Sequence, residues 1–194
     1  ISFERANARD LNALKDSLNI FPLVIKCLET APCGMLKKIG NSLTDFDSTA
    51  DEIEKTIVDS PPLTIREGGL IKPGISREVD EIKDAAANGK QWIARLQQTE
   101  RDRTGISKLK VSYNKVFGYF IEVSNVNKNL VPENYIRKQT LVNSERFITP
   151  ELKEMESKVL GAEEKLSKLE YEVFISLRKK IALLCERIQN ASNS

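Results

Sequence analysis

The chain has 194 residues, 40% of them apolar and 30% charged, and its 30 basic and 28 acidic side chains leave a net charge of +2. That balance fits one or two soluble domains rather than a disordered or membrane chain, and no apolar run approaches the roughly 20 residues that span a bilayer. Histidine is absent and Cys27, Cys33 and Cys185 have no metal-ligand spacing, which excludes the common zinc sites and most hydrolase triads and reads as buried or incidental reduced thiols.

Taken in chain order, Phe3 to Leu28 shows helical spacing at Leu11, Leu14 and Leu18, with a break expected at Phe21-Pro22. Pro32, Gly34 and Gly40 punctuate the next stretch. Ser48 to Val58 predicts a helix with Ile53, Ile57 and Val58 on one side, stopped by Ser60-Pro61-Pro62. Leu63 to Ile75 is a turn-rich connector. Ser76 is a good N-cap with Glu78 and Asp80 in or near the first turn, and apolar residues recur at helical spacing from Val79 to Leu96, so a helix is expected to about Arg103.

From Lys108 the period changes from 3.6 to 2. Leu109, Val111 and Tyr113 alternate with polar residues, and after a turn at Lys115 to Gly118 so do Tyr119, Ile121 and Val123, which is a hairpin signature. Asn125 to Asn134 reads as a loop, and Tyr135 to Ile148 as one or two further strands. Thr149-Pro150-Glu151 then restarts a helix whose apolar seam runs from Leu152 to Ile188, about 40 residues if unbroken. The fold expected is mainly α with a small inserted antiparallel β-module: a long antiparallel helical lever (1–104 and 150–194) with the β-module (105–149) at its tip.

Charge is concentrated on that module. Between Ser107 and Thr149 seven basic residues face three acidic ones, a net +4 in a chain of +2. Lysine and arginine interleaved with Asn, Gln, Ser and Thr suit contacts to phosphates, which position a protein on DNA without reading sequence, although a solvated β-surface shows the same composition. The densest patch is Arg137-Lys138-Gln139-Thr140. Simple alternation on a strand sends Arg137, Gln139 and Leu141 to one face and Lys138, Thr140 and Val142 to the other. No G-x-x-x-x-G-K-[ST] or G-x-G-x-x-G occurs, so neither common phosphate-cradling loop is present.

The segments TGISKLKVSYNKVFGYFIEV (Thr104 to Val123) and YIRKQTLVNSERFITPELK (Tyr135 to Lys153) closely resemble the clamp of bacterial MutS mismatch-repair ATPases. ARDLNALKDSL (Ala8 to Leu18), PPLTIREGGLIKPGISREVDEIK (Pro61 to Lys83) and ELKEMESKVLGAEEKLSKLEYEVF (Glu151 to Phe174) are similar to the flanking lever, or core, of that family. The resemblance implies that the clamp grips the backbone of duplex DNA non-specifically together with a second subunit, and that the lever connects it to an ATPase domain using ATP and Mg outside this segment. On this pattern the DNA-facing residues are Lys115, Asn127, Lys128, Arg137, Lys138, Gln139, Thr140 and Asn143. Neither the ATPase domain nor the family's Phe-x-Glu mismatch reader is matched, and Phe120-Ile121-Glu122, which spells that reader, falls inside the clamp hairpin and reads as structural. The chain begins at Ile1, which suggests a piece of something longer. It is therefore expected to be no enzyme by itself, to have no metal, cofactor or catalytic residues of its own and no membrane contact, and to reside in the bacterial cytoplasm, associated with the nucleoid. The alternative is a coiled-coil-like protein-interaction arm that never touches DNA.

Overall fold

A computed structural model describes residues 5–30, 33–42 and 46–192. Its contacts divide the chain into two compact units, Ile1–Asp80 with Leu166–Ser194, and Glu81–Lys165.

The first unit opens with α1 (Ala8–Leu18), whose start is fixed by a capping box. Asn7 Oδ1 accepts the Asp10 N–H at 3.0 Å, and Asp10 Oδ2 accepts the Asn7 N–H at 2.8 Å. The break expected at Phe21-Pro22 is the start of α2 (Phe21–Glu29), where proline sits in the first turn and costs no hydrogen bond. Phe3 and Pro32 lie outside the described residues. Gly34 stands at a boundary, as the first residue of α3 (Gly34–Ser42), whereas Gly40 lies inside that helix and does not interrupt it.

The next helix, α4 (Asp47–Thr56), is shorter than its apolar pattern predicts. Ile57 leaves it in an extended conformation and bridges Ile71, so Ile57 and Val58 serve as strand-like residues. Ile53, Ile57, Leu70 and Ile71 pack with Leu11 and with Phe174, Leu177 and Ile181 in one buried cluster. Glu170, wholly buried, accepts the Leu70 N–H at 3.1 Å and so fixes the turn-rich connector onto that core.

The next helix, α5 (Arg77–Thr104), begins where expected at the end of the first unit, with Ser76 Oγ accepting the Val79 N–H at 3.4 Å, and continues into the second. It stops at Gly105, whose φ of +71° only glycine adopts freely and whose N–H bonds Arg101 O at 2.9 Å. Then follow β1 (Lys110–Asn114), β2 (Gly118–Ser124), the 3-10 turn η1 (Asn125–Leu130), β3 (Ile136–Thr140) and β4 (Ser144–Ile148). The four strands form an antiparallel sheet in the order β1-β2-β4-β3. The loop expected at Asn125 to Asn134 thus holds one short helical turn.

The Thr149 hydroxyl caps α6 (Pro150–Ala182), accepting the Leu152 N–H at 3.1 Å. The seam that would make a helix of about 40 residues if unbroken is divided between two helices. A tight i−3 bond from Leu184 N–H to Ile181 O ends α6, and α7 (Cys185–Ser192) follows. All three cysteines are free thiols, Cys27 and Cys33 exposed and Cys185 partly so, so of the two readings, buried or incidental, burial is the one the structure sets aside. No described helix is long and apolar enough to cross a membrane.

Inside the second unit one face of the sheet, carrying Ile121, Val123 and Phe147, packs on Ile93 and Leu96 of α5 and on Leu152 and Val159 of α6. Here the two helices pack against each other, with Gly89 against Val159 and Lys90 paired with Glu163.

Candidate nucleic-acid interface

Strand alternation gives the sheet a helix-facing side and an open side. Registers Val111↔Ile121↔Phe147 and Val123↔Glu145 place these residues on the helix-facing side, while Lys110↔Glu122↔Arg146 lie on the open one. The β1–β2 turn lies at one end of the sheet. The η1 segment and the β3–β4 turn lie together at the other, since Ser124 pairs with Ser144. Asn125 ties these two together, its N–H donating to Asn143 O at 3.1 Å and its Nδ2 to Val142 O at 2.9 Å.

This end brings together Asn127, Lys128, Thr140 and Asn143 of the sequence-derived set. Lys115, in the turn between β1 and β2, stands at the far end, separated by the length of β2, about 20 Å for seven residues. The Arg137–Thr140 patch does not follow simple alternation. The register shifts between Arg137 and Gln139, so Lys138 is a bulge residue on an edge strand. Arg137, opposite Phe147, and Thr140, opposite Glu145, therefore share the helix-facing side, and Gln139, opposite Arg146, faces the other. One extra residue inverts the parity on which the alternation rested.

The cations fall into two groups. Lys128 Nζ and Arg137 Nη1 both bond Glu145 Oε1, at 3.2 and 3.4 Å, and Glu145 is only 5% exposed. Arg146 lies over the Phe120 ring with its guanidinium carbon 4.4 Å from the centroid, pairs with Glu122 at 3.1 Å and donates to Gln139 Oε1 at 2.9 Å. Phe120 and Glu122, the two ends of the Phe-x-Glu triplet, thus clasp an arginine, as a structural reading requires. Lys108, Lys110, Lys115 and Lys138, by contrast, form no ion pair among the described residues and are exposed. The positive charge with no carboxylate partner is therefore lysine-borne and lies on both strand edges and both ends of the sheet.

Beneath this surface a polar cluster anchors the chain entering β3. Tyr135 O–H donates to Glu100 Oε2 at 2.6 Å, and Arg103 Nη2 pairs with the same oxygen at 2.6 Å. Burial pushes Glu100 up, but the bonds from Arg103 and Tyr135 outweigh it and leave the carboxyl below its usual range. Burial, then the bond to Glu100, raises the Tyr135 phenol well above its usual value. Arg101 Nε donates to Leu109 O at 2.7 Å, and Gln97 Oε1 accepts the Val111 N–H at 3.0 Å, which occupies an outward-facing donor of edge strand β1.

Three residues of this surface were missed by sequence reasoning: Glu145, Arg146 in its clasped role, and Asn125. Glu145 carried a signal, because a carboxylate alternating with Phe147 on a buried face requires a cationic partner. Among the described residues no group of three or more His, Cys, Asp or Glu is placed to hold a metal.

Comparison with known proteins fits this geometry. Residues 74–165 match the model of MutS family domain IV, which ends where the second compact unit ends. The chain is 50% identical over its whole length to a DNA mismatch repair protein MutS of Alkaliphilus oremlandii and 51% identical over 192 residues to that of Halothermothrix orenii. It is also 50% identical over 196 aligned positions to that of Methanosarcina mazei. The chain belongs to the MutS family. It spans 21–22% of the length of these relatives. The MutS domain IV match takes in all of α5 and the first part of α6 as well as the sheet, so it covers the β-module together with the helical segments that flank it.

Proposed function

We propose that this MutS segment grips duplex DNA by its phosphates, with the sheet of the second unit as the gripping surface, within a mismatch-repair protein. The observation that carries the reading is the set of unpaired, exposed lysines on a module of net +4, joined at one end by Lys128 and Arg137. The residues assigned to DNA are Lys115, Asn127, Lys128, Arg137, Lys138, Gln139, Thr140 and Asn143. In this reading they contact phosphates, which carry no sequence information, so binding is indifferent to sequence. In the same reading α5 and α6 are levers that join the clamp to an ATPase domain elsewhere in the protein, and a second MutS subunit supplies the opposing clamp. ATP and Mg do not fit the residues present, because the sequence has no phosphate loop and the described residues no metal cluster. No nucleotide step is assigned to this segment.

Fluorescence anisotropy with unrelated duplexes tests this. Neutralising about four phosphates gives a log–log salt slope near −3.6, so affinity should fall roughly a hundredfold between about 50 and 200 mM salt, equally for every sequence. Absence of binding at the lowest salt would favour the protein-interaction arm instead.

A further inference from the structure

The geometry points to Glu145 as the residue that positions the clamp's cation pair for phosphate, an inference that rests on the DNA reading above. Two cations from different elements, Lys128 of η1 and Arg137 of β3, converge on a single oxygen of one buried carboxylate. Each uses only part of its donor capacity there, since an ammonium carries three N–H groups and a guanidinium five. Their side chains remain 58% and 56% exposed while that of Glu145 is 7% exposed, so the anion lies below and the spare donors face solvent. A phosphate meets the two cations and not the carboxylate.

The η1 segment depends on this contact. None of its residues is buried, so no apolar core holds it. Besides the Lys128–Glu145 pair it is fixed by the two Asn125 bonds to residues 142 and 143 and by the Val131 N–H to Lys128 O bond of 3.3 Å. Without the carboxylate, Lys128 and Arg137 repel each other and must be ordered on binding, a cost of the kind that separates preorganised from disordered contacts.

Glu145→Gln tests this because charge and order act in opposite directions. Removing a negative charge from a DNA-facing module by itself tightens binding and steepens the salt slope. The positioning role predicts the reverse: affinity for a short duplex about tenfold weaker at low salt and a slope shallower by about one. In a Lys128→Ala, Arg137→Ala background only the charge effect is left, so Glu145→Gln should no longer weaken binding and should tighten it slightly. In the DNA-free chain, hydrogen exchange at the Val131 amide should speed up. Glu145→Asp, which keeps the charge with a shorter reach, should fall between wild type and Glu145→Gln, and it serves as the variant of record if circular dichroism shows the glutamine form misfolded. Unchanged or tighter binding with unaltered Val131 exchange would overturn the proposal. Faster exchange in a chain whose wild type ignores DNA would retain Glu145 as an organiser of η1 but overturn its role toward phosphate together with the DNA reading.

Discussion

Gly118 closes the β1–β2 turn at a φ of +74°, and a Cβ built on it would lie 1.6 Å from Glu156 Oε1. That carboxylate is buried, accepts the Tyr119 N–H at 3.2 Å and pairs with Lys153 at 2.6 Å. Gly118→Ala therefore imposes two costs. Left-handed backbone for a residue with a Cβ costs about 1 kcal/mol, and expelling the carboxylate removes a charge-assisted hydrogen bond worth roughly 1.5–3 kcal/mol. Together they come to about 3 kcal/mol, a drop in Tm of roughly 6–12 °C for a chain of this size. Thermal melts followed by circular dichroism measure it, and Glu156→Ala separates the two costs. In that background Gly118→Ala should lose only the backbone part, about 1 kcal/mol. A single-variant shift below about 2 °C, or an undiminished effect without Glu156, would refute the close-approach argument.

Further outcomes follow from other contacts of the second unit. Lys138→Ala, at an unpaired bulge position, should weaken duplex binding equally across sequences and flatten the salt slope by about one, read by anisotropy titration. Gly89→Ala brings a Cβ within 2.4 Å of Val159 Cγ2; overpacking of roughly 1–3 kcal/mol should exceed the ~1 kcal/mol gained in helix propensity, so urea denaturation should show a net loss. Tyr135→Phe should cost about 1–2 kcal/mol near neutrality. Because Glu100 lies below its ordinary 4.5 in the fold, its contribution is full above that value and is lost as pH falls through the lower folded one. The variant, lacking one of the bonds that lower Glu100, should lose less there, so the gap between the two chains should narrow in acid. The phenol is raised above its ordinary 10.0, so its contribution is full below pH 10 and is lost above it, and the gap should narrow again in alkali.

The elements most legible in the sequence were those written by periodicity and caps. Ser76 and Thr149 marked the starts of α5 and α6, and the change to period 2 at Lys108 marked the hairpin. Ile57 and Val58 were misplaced because apolar residues at the end of a helical pattern suit a buried extended bridge equally well, and only the distant partner Ile71 decides between them. The Arg137–Thr140 faces were misassigned for a related reason: a bulge is created by pairing with β4, and nothing within those four residues announces it. Total charge could be counted in advance. Which cations are already neutralised could not, because the partners of Lys128 and Arg146 are 17 and 24 residues away in sequence and meet them only across the sheet.

The central claim, that the basic β-module is the DNA-gripping surface of this MutS segment, is tested most directly by titrating the isotope-labelled chain with duplex DNA at low salt and following its amide resonances. The account predicts perturbations concentrated between residues 107 and 149, largest at η1, the 142–143 turn and the Lys138 bulge, the same for unrelated duplexes and erased by salt. Perturbations confined to the first unit, or none at DNA concentrations that saturate other backbone-binding proteins, would contradict it.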